Sequence, residues 1–241
     1  MKKYQYKTKI HKSVGEPDRS YQEITGNLLT MAKDGEFDMI VHGCNCFATM
    51  GAGIAAEVAE VFPEAKEADE KFSRTIPRSL AKLGLYSKAI IPLKGERELT
   101  VVNAYTQYQP GPDFRMEALE KWIVKINAWI EHQAYIKEGY KIGFPQIGCG
   151  IGGGDWEEVK RTILDKMHLK FDITFVYFDQ PVYTRIEFKD GGKRDWKEIR
   201  AEVRRLQDRK KSVCICGLKT TDECFEECDN VIERMRGEKG K

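Results

Sequence analysis

Strand-like runs that alternate with helix-like runs predict an α/β sandwich around a mixed, largely parallel sheet. Two glycine-rich loops, each set between a strand-like and a helix-like run, support the same class: Gly51-Ala52-Gly53-Ile54 and Gly148-Cys149-Gly150-Ile151-Gly152-Gly153-Gly154. In open sheets of this kind ligands lie at the carboxyl ends of the strands, where both loops fall. The 241 residues suffice for one ordinary domain plus an appendage.

The expected division is an N-terminal extension over residues 1–20, a main domain over 21–180 and a C-terminal appendage over 181–241. Within the main domain, residues 21–24 and 37–41 are apolar enough to be strands buried in a sheet. After Gly53 the period changes, with Ile54, Val58, Val61 and Phe62 at helical spacing until Pro63, and residues 64–72 continue helically beyond the proline. Residues 86–92 and 99–105 read as strands joined by a charged turn, and Gln109-Pro110-Gly111-Pro112 breaks the chain. From 116 to 136 the residues Leu119, Trp122, Ile123, Ile126, Trp129 and Ile130 form a wide apolar stripe, which predicts the longest core helix, its tryptophans serving packing. A strand over 141–147 leads into the second glycine loop, a helix over 155–167 leaves it, and residues 173–178 form a final strand.

Forty basic against 38 acidic residues leave a formal charge of +2, too balanced for nucleic-acid binding by bulk electrostatics. No apolar stretch approaches the ~20 residues that span a bilayer, and no apolar signal core follows the basic start, so no membrane association and a cytoplasmic location are expected. The odd count of seven cysteines, with Cys44, Cys46 and Cys149 in or beside the loops, fits reduced thiols.

Glycines let backbone N–H groups turn toward a ligand, and a helix that starts at once adds the positive end of its dipole. Each loop is therefore a candidate phosphate cradle, and two cradles point to a diphosphate. Gly148-Cys149-Gly150-Ile151-Gly152-Gly153 also satisfies G-x-G-x-x-G, but only one helix and one strand follow before the tail, whereas a dinucleotide fingerprint opens its domain. No Gly-Lys-Ser/Thr follows either loop, which argues against a P-loop.

Three motifs then occur in order: Thr25-Gly26-Asn27-Leu28; Ile40-Val41-His42-Gly43-Cys44-Asn45 running into Met50-Gly51-Ala52-Gly53-Ile54-Ala55; and Pro145-Gln146-Ile147-Gly148-Cys149-Gly150 running into Gly154-Asp155-Trp156. Over residues 21–179 the chain thereby resembles the macrodomains, which bind ADP-ribose and its derivatives. The His-Gly-Cys-Asn-Cys stretch looks most like the branch, known from yeast, bacteria and phages, that hydrolyses ADP-ribose-1″-phosphate to ADP-ribose and phosphate. The resemblance implies a three-layer α/β/α fold with a cleft across the top of the sheet. No cofactor is implied; the ligand is ADP-ribose or its 1″-phosphate, and the alternatives are a non-catalytic ADP-ribose reader or a hydrolase that removes ADP-ribose from modified protein or nucleic acid.

On this resemblance Gly26, Asn27, Gly51 to Ile54 and Gly148 to Gly153 bind the ligand, and Asn45 takes the position whose amide contacts the distal ribose. An amide there both donates and accepts. His42 is the one histidine embedded in a candidate site, as a general acid, as an electrostatic anchor, or as a group tied into the loop by hydrogen bonds. Asp155 either orients a water or caps the helix after it. Cys44, Cys46 and Cys149 offer thiolates in principle, and packing beneath the loops is the simpler reading. Most macrodomains place an aspartate where Asn27 stands, to accept from the adenine amino group; Asn27 accepts without charge. Phe178 or Tyr177 is placed to stack on adenine. Tyr105, Gln107 and Tyr108 run off a strand toward the rim of the same cleft. Relatives that remove ADP-ribose from glutamate use a lysine and an aspartate, which find no equivalents in Asn103 to Tyr108 and Gly152 to Gly154.

The tail lies beyond the resemblance. Residues 193–211 hold nine basic and four acidic residues, with Trp196, Ile199, Val203 and Leu206 as a narrow helical seam that docks on the main domain or serves a nucleic-acid or protein partner. Cys214, Cys216, Cys224 and Cys228 have a spacing that lets four thiolates converge on a structural zinc, or else they are buried or redox-sensitive thiols.

Overall fold

Seven runs pair into one sheet because alternating or continuous apolar residues need a face, or two, to bury. In the computed structural model the described residues are 5–12, 19–133 and 139–178, with the short strands at 186–187 and 193–194. The chain runs β1 (Gln5–His11), β2 (Arg19–Thr25), α1 (Leu28–Lys33), β3 (Met39–Asn45), α2 (Gly53–Val61), α3 (Pro63–Thr75), a 3-10 turn (Leu80–Lys82), β4 (Tyr86–Pro92), β5 (Glu98–Gln107), α4 (Met116–His132), β6 (Tyr140–Phe144), α5 (Trp156–Lys166) and β7 (Phe171–Tyr177). The sheet order is β1-β2-β7-β6-β3-β5-β4. Its five inner strands run parallel, and the two edges, β1 and β4, are antiparallel to their neighbours.

Both faces of the sheet are covered, which gives three layers. On one face Val41, Val102, Ile142, Phe144, Ile173 and Phe175 pack against α4 and α5, with Trp122 fully buried and edge-on to Phe144 at 6.1 Å. On the other, Ile24, Ile40, Leu99 and Val101 meet α1, α2 and α3 through Leu28, Met31, Val58 and Phe62. Pro63 has no amide to donate, so α2 ends at Val61 and the proline opens α3 instead.

Two parts of the sequence reading are corrected. Residues 5–11, set apart as an extension, form β1 and pair with β2 along their full length, so the boundary expected at residue 20 cuts through the sheet. Secondly, Lys193 and Arg194, expected to start a helix, form β9 against β8 (Ile186–Glu187). The rest of the basic helix and Cys214, Cys216, Cys224 and Cys228 lie outside the described residues, as do residues 134–136 of the expected long helix.

Arg19, at the start of β2, joins the sheet to the helix layer. Nearly without exposed surface, its guanidinium donates to the carbonyls of Leu164 at 3.0 Å and Met167 at 2.6 Å, which closes the carboxyl end of α5. Arg19→Met leaves both carbonyls without a partner and is expected to cost about 3 kcal/mol of unfolding free energy, read as a lower urea midpoint at unchanged slope.

Candidate ligand cleft

Because the inner strands are parallel, Thr25, Tyr177, Phe144, Asn45 and Gln107 all end at one rim. From β3 the chain first builds β4 and β5 on one side, then β6 and β7 on the other, so the winding reverses between the adjacent strands β3 and β6. A crevice forms at such a reversal. The two glycine loops leave these two strands and flank it.

The first loop begins with a staple. Asn45 Oδ1 accepts from Phe47 N at 2.9 Å, and Asn45 Nδ2 donates to Thr49 O at 3.0 Å and to Thr49 Oγ1 at 2.9 Å. These bonds hold Ala48 at φ 58°, a left-handed conformation uncommon outside glycine. Gly51 and Ala52 follow, and Ala52 is the N-cap of α2 with no side chain to satisfy the first amides and no acidic residue in the first turn. The amino end of α2, from Gly53 and Ile54 onward, therefore keeps its positive dipole end and unpartnered N–H groups for an anion.

The second loop is shaped by Phe114, which its sequence neighbours gave no reason to single out. Gly148 has φ +73°, and a side chain there would drive into the Phe114 ring; a Cβ on Gly154 would lie 2.6 Å from the same ring. Phe114 N donates to Gly152 O at 3.0 Å, and Gly154 N donates to Gly148 O at 2.9 Å, which folds the loop back on itself. Gly153 also takes a left-handed φ of +78°, while Gly150 faces open space. Cys149 is buried beneath, its thiol donating to Ile147 O at 3.2 Å. A Cβ on Gly53 would stand 3.5 Å from Ile151 Cδ1, so the two loops meet across the crevice.

The loops differ in electrostatics. The expectation that a positive helix end follows each of them holds for the first and is corrected for the second. Asp155 is the N-cap of α5, accepting from Glu158 N at 3.0 Å, and Glu157 and Glu158 occupy the first turn. Those carboxylates already complement the dipole, so the second loop offers backbone N–H groups without the charge.

At the other end of the cleft, Gly26 N donates to Tyr177 O at 2.9 Å, which sets Asn27 beside the end of β7. Asn27 caps α1: its Oδ1 accepts from Leu29 N at 2.9 Å and from Thr30 N at 3.0 Å. Both lone pairs of the oxygen expected to read an adenine amino group are thereby engaged. Phe178 is 47% exposed just past β7, whereas Tyr177 is tied down by Trp156 Nε1 at 3.2 Å and Glu23 Oε1 at 3.3 Å.

His42 is corrected as a general acid. It points not into the cleft but into the layer between the sheet and α3, fully buried, with Nε2 2.7 Å from Asn103 Oδ1. Asn103 Nδ2 donates to Ala65 O and Ser87 Oγ, so Asn103 Oδ1 is the acceptor and Nε2 carries the histidine proton. Burial pulls the His42 pKa down to about 4, with the Asn103 bond opposing. Tyr105 is likewise withdrawn from the rim, donating to Asp69 Oδ1 at 2.6 Å in the same buried layer. Gln107 donates to Gly111 O at 2.6 Å, and Tyr108 is edge-on to Phe47 at 5.2 Å; these two do reach the rim. Asp113, missed in the sequence, accepts from Tyr108 N and Gln109 N, both at 3.0 Å, and from Arg115 Nε at 3.1 Å; an Asp just past a Pro-Gly-Pro turn was the available signal. Burial raises the thiols of Cys44 and Cys46, the latter to about 11, which removes them as thiolates. Among the described residues no three His, Cys, Asp or Glu side chains gather as for a metal ion.

No protein-family model matches the chain. An uncharacterized 17.5 kDa protein of Enterobacteria phage T4, from the tk-vs intergenic region, is 35% identical over 153 residues, which are 64% of this chain and 93% of the phage protein. Among solved structures, the macrodomain of Mycobacterium tuberculosis DarG superposes with a TM-score of 0.50 at 20% identity, over 64% of this chain and 95% of that one. Thermosipho africanus DarTG in complex with ADP-ribose gives 0.51 at 14% identity, over 65% of this chain and 41% of that one. These structures share the fold of this chain.

Two outcomes test the site's construction. Because His42 resists protonation down to about 4 while the unfolded chain takes up its proton near 6.5, stability is full above pH 6.5 and falls by about 3 kcal/mol as pH drops through that window. Urea titrations at several pH values should show this slope, and His42→Gln should flatten it. Gly148→Ala forces a side chain into Phe114 at a left-handed φ and should lower the melting temperature by several degrees.

Proposed function

Since the chain belongs to the family of the phage T4 17.5 kDa protein and has the macrodomain fold, we propose that its cleft binds ADP-ribose, with the diphosphate held between the two glycine loops. One observation carries the reading: two amide-bearing loops meet through Gly53 and Ile151 at the reversal of the sheet, one of them opening a helix whose amino end has no side-chain cap. The separation of roles along the rim supports an orientation. The exposed ring of Phe178, beside Asn27, offers a stacking face to adenine. The distal ribose then lies toward Asn45, whose amide reaches ribose hydroxyls by exchanging its bonds to Thr49.

Hydrolysis of ADP-ribose-1″-phosphate is the finer reading, and it rests on the motif from His42 to Asn45. With His42 buried, the step uses positioning by Asn45 and stabilisation of the phosphate charge by backbone N–H groups. Asp155 serves as the cap of α5 through Oδ1. The burial of His42 favours a second reading, an ADP-ribose-binding module without turnover, which needs the same loops and no acid.

Calorimetric titration with ADP-ribose, followed by phosphate release from ADP-ribose-1″-phosphate in the same preparation, separates these readings. Binding with release supports the phosphatase; binding alone supports the module. Absence of binding overturns both. Asn45→Ala should weaken ADP-ribose binding about tenfold, the scale of one or two lost hydrogen bonds to the ligand.

A further inference from the structure

A lysine with no exposed surface lies directly beneath the first loop. Lys82 sits in the 3-10 turn Leu80–Lys82, and its Nζ donates to Cys46 O at 3.2 Å and Ser73 Oγ at 2.7 Å, with Asp69 Oδ1 at 4.0 Å. The ammonium also lies 4.1 Å from the centre of the Tyr105 ring. Burial lowers its pKa and Asp69 opposes that shift; burial correspondingly raises Asp69, against the Tyr105 hydroxyl and Lys82. Taking an ammonium out of water costs several kcal/mol unless its donors are satisfied. Here one of those donors goes to the peptide between the Asn45 staple and Phe47.

The other side of that residue is fixed as well, since Cys46 N donates to Tyr108 O at 2.9 Å. Cys46 is thus clamped at both its amide and its carbonyl immediately before the left-handed Ala48 and the glycines of the cradle. A β-bulge between Cys44 and Asn45 releases this stretch from the regular ladder of β3, so the sheet alone does not hold it. We infer that Lys82 is a positioning residue for the ligand cleft: its buried charge, balanced by Asp69, fixes the loop that receives the diphosphate. The inference rests on the ADP-ribose reading for its ligand and on geometry for its mechanism.

Lys82→Met alone strands the Asp69 carboxylate and threatens the fold, so the deciding variant is Lys82→Met with Asp69→Asn, which removes both charges. Ser87→Ala is the control, since Ser87 bonds Asn103 and Tyr105 in the same layer and does not touch Cys46. Titration with ADP-ribose and thermal unfolding are measured on all three proteins. The double variant should unfold several degrees below the wild type, because Cys46 O loses its donor, yet stay folded at the titration temperature and bind at least tenfold more weakly, while Ser87→Ala should lose stability and keep its affinity within twofold. Wild-type affinity in a folded double variant overturns the inference. Amide hydrogen exchange over residues 47–53 reads the same tether without ligand. It should accelerate in the double variant, and unchanged exchange overturns the inference even if the wild type proves not to bind ADP-ribose, a result that by itself sinks only the ADP-ribose reading.

Discussion

The ring of Phe114 fills space that side chains on Gly148 and Gly154 would take, and the cleft depends on this exchange of ring for side chain. It allows the backbone of the second loop to fold into a tight turn over a rigid apolar wedge while its upper surface stays bare. The same residue donates its amide to Gly152, so the wedge is registered to the loop as well as packed against it. Because Phe114 follows β5 and the loop follows β6, the contact crosses β3, which lies between those strands in the sheet. The spacing of the two cradles is therefore set by the sheet itself, at its close-packed carboxyl end, rather than by the loops.

The two faces of the sheet do different work. Against α4 and α5 the contacts are apolar, with Trp122, Ile123, Ile126 and Ile130 carrying the burial that stabilises the domain. Against α3 a polar seam runs from His42 through Asn103, Ser87 and Tyr105 to Asp69, with Lys82 at the end nearest the first loop. Nearly every member is satisfied by a neighbour, as a buried network must be to avoid an uncompensated desolvation cost. Such a seam adds directionality that apolar packing lacks. Its bonds fix α3 and the 3-10 turn in one register on β4 and β5, and its last donor reaches the cleft.

The sequence made the layers and the loops legible for definite reasons. Helical periodicity marked α2 and α4, and glycine marked the places where backbone must approach backbone or ligand. Asn27 and Asp155 also stand where capping chemistry predicts, ahead of α1 and α5. What failed was the direction of side chains on strands buried on both faces. In β3 all of Met39 to His42 are buried, so alternation says that His42 shares a face with Ile40 without saying that this face meets α3 rather than the cleft. Tyr105 on β5 misled in the same way. The first strand was illegible for the opposite reason: in Gln-Tyr-Lys-Thr-Lys-Ile-His the single aliphatic side chain, Ile10, is 66% exposed, and its lysines are those of a protected sheet edge.

The asymmetry between the helix ends constrains how any diphosphate lies in the cleft. Anions are favoured where N–H groups and a positive dipole coincide, and this occurs at α2 alone of the two helices, since α5 begins with three carboxylates. On the proposed ADP-ribose reading the two linked phosphates carry one charge each, and the one placed at α2, close to Asn45, would gain the helix field. The other would lie over the glycines of the second loop, which supply hydrogen bonds but little net field. On the same reading the field at α2 favours one direction of the ligand, and the end beyond α2 would point toward Asn45, Phe47 and Tyr108. That rim is where the chemistry of this fold must be sought, because the imidazole that the motif advertised is sealed one layer below it.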